Sequence, residues 1–545
     1  MPRKLFSYNK FIGLDTVTSP SNMSERFLAE LSGAYVDFRG QIVIGPALMP
    51  ASTSITTNDC FNIKHFGPED WVVYNVAGNT SILAKSLATP MTILFNVSTA
   101  AISELSIVNF DQKQFAFMSG HDPWFYDGTS FTNAATLGSN QYSTLGAYPK
   151  GGVAINILNR LVVAGIPGKP NELHISAQES YTDWRTNTSS GGTTPNITDG
   201  AIIDVSNQWT SNDTIQGLAV LEGDKLVVFG QNETLVYLAD TNINIWEIAR
   251  DFRVSIGIFG RNTAVNVGLD VFFCSRSGIH SLRRAISGLT LETRTFTREV
   301  QDTYFDLVNN VQNTNPPFTE PKAVWDGDLG QYRVFFPQEV SSSILNFREL
   351  KLTYDPSAGR NGHLSFSTNY GISCGSYYSR PEKLYSNTDN PSYIIDGSTD
   401  GKASSLMLGG PDFFGNGRVF NFPLTGSMSG SVNWVSPYWN IKTPLLSQGT
   451  PDTYKYYKRL IIRAVGTAYF EVEIRDSESN FLQNTLVRPE KDGFSTTLGI
   501  GGDSTRPIDI PIPHRSKSIS IEFRRYSGAE GPLRILDFAL IVDTK

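Results

Sequence analysis

Short runs of apolar residues, each followed by a polar turn, make up most of this chain of 545 residues. Residues 269–282, LDVFFCSRSGIHSL, place one apolar run before the Ser277-Gly278 turn and a second run after it. Two short apolar runs on either side of a glycine turn predict a β-hairpin. Further predicted strands are WVVYNV (71–76), RLVVAGI (160–166), KLVVFG (225–230), TLVYLA (234–239), VFFC (271–274) and YRVFFP (332–337).

One turn signature recurs along the chain: an apolar or aromatic residue, then Asp, then Gly or Pro. An aspartate at this place accepts hydrogen bonds from the backbone that follows it, and glycine tolerates a positive φ. We therefore expect each occurrence to end a strand and to open a tight turn. The occurrences are Tyr126-Asp127-Gly128, Trp325-Asp326-Gly327, Tyr354-Asp355-Pro356 and Ile395-Asp396-Gly397.

Helical spacing is scarce. In residues 295–312 (TFTREVQDTYFDLVNNVQ) five apolar residues fall near one stripe, which predicts an amphipathic helix. A weaker pattern at residues 21–33 (SNMSERFLAELSG) has a Ser or Asn cap and Gly33 after its last turn, and it predicts a second, short helix. The apolar stripe of the first helix consists of Val300, Tyr304, Leu307, Val308 and Val311.

The fold class that these patterns predict is all-β. A single hairpin is marginal in water, whereas small antiparallel sheets arranged around an axis bury one another's faces and expose only short edges. We predict that residues 51–405 form a β-propeller of six or seven blades. The spacing of the recurring hairpin patterns is too irregular for a strict WD40 repeat of about 40–45 residues. A stack of β-sandwiches is the alternative that the same pattern permits.

The end of the chain is patterned differently. Phe470, Val472 and Ile474 alternate with charged residues, and residues 518–525 (SISIEFRR) repeat that alternation. Such period-two patterning is typical of strands with one buried face and one solvated face, so residues 435–545 are predicted to form a β-sandwich-like module. Residues 406–434, rich in Gly, Pro and Ser, are predicted to be a linker or an extended loop. Residues 1–50 are predicted to form an N-terminal segment with the short helix and a hairpin.

Composition narrows the functional classes. A length of 545 residues indicates at least two domains, and 47 glycines with 28 prolines fit a chain rich in turns. The formal net charge of −7 argues against a general nucleic-acid-binding protein, which would carry a basic excess. Residues 451–545 hold 14 Lys and Arg against 13 Asp and Glu, so the acidic excess lies in the first 450 residues.

The cysteines and the termini point to synthesis in the cytosol. Cys60, Cys274 and Cys374 are far apart and odd in number, which argues against a disulfide framework or a zinc cluster. The N-terminal MPRKLFSYNKFIG has no apolar stretch behind its basic residues, so no signal peptide is expected. No run approaches the roughly 18 apolar residues that would cross a bilayer.

Among six histidines, His121 is the one that invites a catalytic interpretation, because Asp122 and Trp124 are close to it. A GxSxG or HExxH motif does not accompany it, so a turn residue is the favoured interpretation. His280, two residues after Gly278, is interpreted as a packed strand residue.

Paired aspartates raise the question of calcium binding or glycoside cleavage. Asp326 and Asp328, like Asp396 and Asp400, lie in glycine turns, and the segment 396–401 (DGSTDG) lacks the downstream Glu of an EF-hand loop. The glycine-rich segment 499–504 (GIGGDS) lacks the Lys-Ser/Thr of a phosphate-binding loop. We therefore predict that the chain is not an enzyme, with no catalytic residues, no cofactor and no metal site.

Basic residues interleaved with tyrosines form the one candidate contact surface. They lie in residues 454–464 (YKYYKRLIIRA) and 514–525 (HRSKSISIEFRR). Aromatic and basic side chains together are typical of nucleic-acid contacts, but a solvated strand face paired with nearby glutamates explains the same residues and is favoured. The candidates for DNA or subunit contact are Lys455, Lys458, Arg459, Arg515, Lys517, Arg524 and Arg525.

Three segments resemble the tail nozzle proteins of short-tailed phages, a family also called tail tubular protein B or packaged-DNA stabilisation protein. Residues 158–184 (LNRLVVAGIPGKPNELHISAQESYTDW) resemble the family in a strand ending in Ala-Gly, a proline loop and an acidic loop before an aromatic pair. Residues 221–284 resemble its consecutive hairpins. Residues 11–47, with Gly13-Leu14-Asp15, the predicted small helix and an Arg39-Gly40 hairpin, resemble its N-terminal segment.

The resemblance implies a β-propeller subunit of a homohexameric ring in the virion tail, made in the host cytoplasm. Such a ring extends the adaptor (the head-to-tail connector) below the portal, carries the tail fibres, and meets the host cell surface indirectly. It retains packaged genomic DNA and conducts it during ejection. An acidic lumen suits a conduit, because each phosphate that Lys or Arg neutralises adds attraction.

A second hypothesis is a host-receptor or glycan-binding tail protein that depolymerises cell-surface glycans. Such proteins usually trimerise, and the β-helix periodicity of tailspikes is missing from this sequence. A cellular β-propeller enzyme or scaffold is a third hypothesis, which the lack of a recognisable catalytic set disfavours.

Overall fold

A computed structural model provides the structure of the chain. It describes residues 3–37, 39–44, 49–50, 60–66, 70–77, 81–86, 93–98, 105–134, 148–186, 197–249, 252–286, 295–311, 320–341, 344–354, 363–367, 374–377, 406–411, 417–421, 439–466, 469–487, 507–526 and 533–544.

Strands dominate these residues and are numbered here in chain order. The N-terminal strands are β1 (Arg3–Tyr8), β2 (Gly13–Leu14), β3 (Phe27–Leu28), β4 (Glu30–Ser32), β5 (Ala34–Val36), β6 (Ile42–Ile44) and β7 (Met49–Pro50). The next are β8 (Cys60–Phe66), β9 (Asp70–Ala77), β10 (Ser81–Ser86), β11 (Ile93–Ser98), β12 (Leu105–Phe110), β13 (Lys113–Met118), β14 (Trp124–Tyr126), β15 (Phe131–Asn133), β16 (Val153–Ile157), β17 (Arg160–Ala164), β18 (Glu172–Ile175) and β19 (Ala201–Asp204).

The middle and the end of the chain continue the series. After β19 come β20 (Gly217–Leu221), β21 (Lys225–Phe229), β22 (Thr234–Leu238), β23 (Glu247–Ile248), β24 (Val265–Val267), β25 (Asp270–Ser275), β26 (Gly278–Ser281), β27 (Lys322–Asp326), β28 (Gln331–Ser341), β29 (Ile344–Thr353) and β30 (His363–Ser367). The last strands are β31 (Cys374–Tyr377), β32 (Leu406–Pro411), β33 (Gly417–Asn421), β34 (Asn440–Lys442), β35 (Lys455–Gly466), β36 (Phe470–Asp476), β37 (Phe481–Val487), β38 (Ile508–Ser516), β39 (Ile519–Arg525) and β40 (Leu533–Thr544).

Helices are few and short. In the described residues, the α-helices are α1 (Leu282–Ile286) and α2 (Gln301–Asn309), and 3-10 turns lie at Ser206–Gln208, Ile243–Ile245 and Arg298–Val300. Helix α2 confirms the helix predicted within residues 295–312, because Tyr304, Leu307 and Val308 are its buried residues. The predicted strands and the hairpin at residues 269–282 are likewise confirmed, with Ser275 paired to Gly278 at the turn.

Seven small antiparallel sheets follow one another in the described residues between 49 and 421. Six consist of consecutive strands and are named blades 1 to 6: β8–β11, β12–β15, β16–β19, β20–β23, β24–β26 and β27–β30. Blade 7 has the order β31-β32-β33-β7, so its outermost strand comes from Met49–Pro50, ahead of every other blade in the chain. This pairing joins the two ends of the series.

The blades close a ring through their first strands. Contacts run from β12 to β16, β20, β24, β27, β31 and back to β8. Blades 1 and 2 are linked by hydrogen bonds, because Asn109 Nδ2 and Gln114 Nε2 donate to the His65 carbonyl oxygen at 3.0 and 3.1 Å. Apolar cores lie between neighbouring blades. The fold is therefore a β-propeller with an added sandwich, as predicted, and seven blades are found among the described residues.

The predicted turn chemistry is present at two of its four positions. Asp127 Oδ1 accepts hydrogen bonds from the Thr129 and Ser130 amides at 2.8 and 2.9 Å, and Gly128 has a φ of 95°. Asp326 Oδ1 accepts in the same way from two amides that follow it. The turns predicted at Asp355 and Asp396 lie outside the described residues.

Both ends of the chain build a two-sheet sandwich. The six-stranded sheet has the order β38-β35-β40-β6-β5, with β1 also paired to β40, and the five-stranded sheet has the order β37-β36-β39-β34-β4. The alternating residues predicted to face inward, Phe470, Val472 and Ile474, are buried. Across the sandwich, the Phe523 and Phe538 rings lie 5.8 Å apart.

The predicted helix at residues 21–33 is wrong, since β3 and β4 occupy that segment. β4 pairs with β34, more than 400 residues away in sequence. Gly33 has the expected left-handed φ of 66°, but it lies between two strands and does not end a helix. Long-range pairing has outweighed a weak local preference.

The predicted domain boundaries also need correction. Within the segment 406–434, interpreted as a linker or loop, β32 and β33 belong to blade 7. The N-terminal segment and the C-terminal module are not separate units, because β1, β4, β5 and β6 complete the sheets of the sandwich. The sandwich in turn shares one apolar core with blades 5 and 6 and with α2.

Candidate interaction surface

The seven predicted contact residues lie on two different sheets. Lys455, Lys458 and Arg459 lie on β35. Arg515 is the penultimate residue of the neighbouring β38, and Lys517 follows that strand. Arg524 and Arg525 end β39 of the opposite sheet. The structure therefore does not bring the set together as one basic surface.

Lys455 is buried and serves the fold. Its ammonium group donates to the carbonyl oxygens of Thr450, Thr453 at 3.0 Å, and Lys517 at 2.9 Å. A buried cation needs such partners, because an unpaired one would cost several kcal/mol, on the order of the penalty for any desolvated ion. Lys455 thus fixes the turn before β35 against the turn after β38.

Carboxylates neutralise three more of the predicted residues. Lys458 lies 2.5 Å from Asp543, and Arg459 donates to Asp509 at 2.7 Å. On the five-stranded sheet, Arg524 forms an ion pair with Glu473 and lies 3.7 Å from Glu522. These residues fit the interpretation of a charge-paired strand face. Arg525, beside Arg524, uses its backbone amide to reach the Trp439 carbonyl oxygen at 3.3 Å.

Arg515 and Lys517 are different, because neither forms an ion pair within the described residues. The Arg515 guanidinium lies 5.2 Å from the centre of the Tyr454 ring, and the Lys517 ammonium lies 5.5 Å from it. Tyr454 is 51% exposed, and Tyr456, paired with Arg515 across the strands, is also exposed. We name Tyr454, Tyr456, Arg515 and Lys517 the tyrosine patch.

The chemistry of the tyrosine patch is that of anion recognition with an apolar component. Cations over an aromatic face gain about 0.5–1 kcal/mol at exposed sites and keep N–H donors for a carboxylate or a phosphate. The turns beneath the patch are fixed by Lys455 and by the Tyr457 hydroxyl, which donates to the Leu446 carbonyl oxygen at 3.1 Å. The side chains of the tyrosine patch are therefore presented to a partner from turns that hydrogen bonds hold in place.

His121 lies in the turn after β13, as predicted, where its amide donates to the Met118 carbonyl oxygen at 3.1 Å. Asp122, beside His121, forms an ion pair with Lys150 at 3.1 Å. His280 is buried in β26, as predicted for a packed strand residue, and its Nε2 lies 2.8 Å from Ser275 Oγ and 3.2 Å from Ser277 Oγ. Among the described residues, groups of three or more His, Cys, Asp or Glu that could hold a metal ion are not found. Asp396, Asp400 and residues 499–504 lie outside them.

Cys274 is free and buried in β25, with its Sγ 3.6 Å from the Tyr332 hydroxyl. Burial raises the pKa of this thiol to about 12, so it is protonated at neutral pH.

In the part of the chain that the structure describes, no helix has the length and apolarity needed to cross a membrane.

Sequence reasoning missed an ion cluster buried in blade 6, formed by Asp326, Arg333, Glu349 and Lys351. Arg333 Nε donates to the Glu349 carboxylate, and Arg333 lies 3.9 Å from Asp326. Lys351, paired with Arg333 in register, lies 3.5 Å from Glu349. The signal was present in β29, where Glu349 and Lys351 alternate with Leu350 and Leu352, but it resembles that of a solvated strand face.

The pH dependence of stability should reveal this cluster. Burial raises the pKa of Asp326 from 3.8 to about 6, although Arg333 opposes the shift. The protonated form is therefore favoured by folding, so its contribution to stability is complete below pH 3.8 and is lost as pH rises through about 6. Because asparagine does not titrate, the Asp326→Asn variant should escape this loss. From pH 4 to pH 7 its free energy of unfolding should rise by about 3 kcal/mol relative to that of the natural chain. Urea unfolding of both proteins at several pH values checks this, and parallel stability curves would contradict it.

Comparison with known proteins adds a likeness of fold. Protein-family models and curated proteins give no match to the chain. The crystal structure of a mitotic checkpoint complex has a TM-score of 0.33 and 10% identity over 69% of this chain and 94% of that one. The WD40 β-propeller domain of Doa1 has a TM-score of 0.36 and 9% identity over 69% of this chain and 97% of that one. Likenesses this weak transfer no function.

Proposed function

We propose that this chain is a structural virion protein: the subunit of a homohexameric tail nozzle of a short-tailed phage. The ring lies below the portal and its adaptor, carries or contacts the tail fibres, retains packaged DNA and conducts it toward the host cell during ejection. The proposal starts from the resemblance of residues 11–47, 158–184 and 221–284 to that family.

The distribution of charge is the observation that carries the proposal furthest. Residues 51–434, which contain the blades, hold 25 Lys and Arg against 35 Asp and Glu, whereas the remainder of the chain holds 20 against 17. An acidic wall repels the phosphate backbone, so DNA can slide along it without being held. A protein that gripped DNA would need the opposite balance.

The architecture supports a subunit that assembles rigidly. Blade 7 is closed by β7, and the two chain ends are joined in one sandwich that shares its core with blades 5 and 6. Ring closure requires two different surfaces of each subunit to meet around an axis.

Assembly state and location test the proposal. Native mass spectrometry of the purified full-length chain should find six copies, and a cryo-EM reconstruction of the particle should place the chain in the tail below the adaptor. A chain that stays monomeric and is missing from the tail would contradict the proposal. Degradation of capsular glycan by the purified protein would contradict its structural, non-enzymatic part.

A further inference from the structure

Helix α2 carries an acidic counterpart of the tyrosine patch. Its buried side contains Tyr304, and its outer side exposes Asp302, Phe305 and Asp306, with Phe305 42% exposed. Residues three and four positions apart lie on one face of a helix, so these three side chains form one surface, named here the α2 face. Neither aspartate side chain forms an ion pair or a hydrogen bond within the described residues.

Asp306 lies where a helix favours a cation. The last turn of α2 contains this carboxylate and has no basic residue. A carboxylate near the carboxyl end of a helix is disfavoured by the helix dipole, whereas a cation there is favourable. An incoming guanidinium or ammonium group would relieve that cost.

We infer that the tyrosine patch of one copy docks on the α2 face of a second copy of this chain. The inference rests on the proposed function, since it names the subunit contact that closes the ring. Arg515 and Lys517 supply the cations for Asp302 and Asp306, and Tyr454 and Tyr456 supply aromatic surface for Phe305. Arg and Tyr are enriched at the cores of protein interfaces.

Charge complementarity favours a second copy over DNA as the occupant. The two surfaces carry opposite charge on the same chain, and both combine unpaired charges with exposed aromatic rings. Because the surfaces differ, their contact is heterologous, the kind that generates rings. DNA would satisfy Arg515 and Lys517 but would leave the α2 face without a partner.

Both surfaces are ordered before they meet. Lys455 holds the turns beneath the tyrosine patch, as described above. On the other side, the Tyr304 hydroxyl donates to the Ser275 carbonyl oxygen at 2.6 Å, and Thr303 Oγ1 donates to Thr16 Oγ1 at 3.0 Å. Surfaces fixed in this way lose less conformational entropy on association.

A charge-swap experiment on the full-length chain tests the inference. Arg515→Glu with Lys517→Glu should raise the dissociation constant of assembly by roughly 10- to 100-fold, and so should Asp302→Lys with Asp306→Lys, because like charges then face each other. The chain that carries all four substitutions should regain most of the assembly, because the charges are exchanged. Sedimentation velocity over a range of concentrations and salt measures each constant.

Matched controls separate this contact from an effect of net charge. Lys4→Glu with Lys10→Glu, and Glu30→Lys with Glu247→Lys, alter exposed side chains elsewhere by the same charge as the test variants, and they should leave the dissociation constant unchanged. Circular dichroism confirms that each variant is folded. Assembly that is insensitive to the swaps, or a four-substitution chain that fails to recover, would overturn the inference.

Two other outcomes are informative. If Arg515→Glu with Lys517→Glu abolishes binding of a fluorescent DNA duplex and leaves assembly intact, the tyrosine patch is a phosphate contact and the inference falls. If hexamers form but ignore every swap, the docking inference fails while the proposed function stands. A natural chain that never assembles defeats both.

Discussion

Replacing Glu349 by glutamine is expected to lower the free energy of unfolding by about 3–5 kcal/mol, the cost of leaving a buried charge without its partner. Glu349 is the carboxylate that accepts the Arg333 Nε–H, and both side chains are almost fully buried, with exposed fractions of 1% and 0%. Lys351 also loses its partner in the variant. Guanidinium unfolding, followed by fluorescence, measures the loss.

The chain contains its own control for this substitution. Arg459 and Asp509 form an ion pair of similar chemistry, but their side chains are 58% and 44% exposed. Asp509→Asn should change stability by less than about 1 kcal/mol, since water already solvates both charges. If the two variants lose equal stability, burial is not what makes the blade 6 cluster sensitive.

An apolar replacement of the whole cluster gives a second check. Substituting Arg333→Met, Glu349→Leu and Lys351→Met together removes every charge that would be stranded, apart from Asp326. Because Arg333 lowers the pKa of Asp326, its removal raises that pKa further and favours the neutral carboxyl. Buried ion pairs are often replaceable by packed apolar residues at little net cost. The triple variant should therefore be more stable than Glu349→Gln alone, although it lacks more polar contacts.

The strand pairs and their turns could be predicted because their signals are local. The hairpin at Ser277-Gly278 and the turn at Asp127 each depend on residues within a few positions of one another. Helix α2 was predictable for the same reason, since its buried stripe repeats at helical spacing. Local chemistry of this kind is readable from one sequence.

Long-range pairing explains what could not be predicted. Residues 406–411 (LMLGGP) read as a loop because glycine and proline weaken strands, yet β32 is held between β31 and β33 in blade 7. The same limit applies to the candidate surface. Arg459 donates to Asp509, fifty residues away in sequence, whereas Arg515 lies over the ring of Tyr454. Which cation is neutralised depends on strand register, and a single sequence does not reveal register between distant strands.

A second large loss of stability is expected from Arg160→Met, on the order of 3–5 kcal/mol, because several buried hydrogen bonds break together. Arg160 is fully buried, and its two terminal nitrogens donate only to backbone carbonyl oxygens. The acceptors are Ser176 at 2.9 Å, Asp199 at 2.7 Å, Ile197 at 2.8 Å and Thr241 at 3.1 Å. Those carbonyls belong to loops of blade 3 and blade 4, so one side chain fastens two blades together.

Arg160→Lys should recover only part of the loss. A lysine keeps the charge, but its single nitrogen has three donors and cannot reproduce the planar fork that spans four acceptors. Arg185→Met is the control, since Arg185 pairs with Asp183 inside one partly exposed loop. This substitution should lower the free energy of unfolding by less than about 1 kcal/mol. Urea unfolding ranks the three variants, and hydrogen exchange should show faster opening of residues 197–200 and 240–245 in Arg160→Met alone. If Arg160→Lys matched the natural chain, a point charge and not the fork would be holding the blades together.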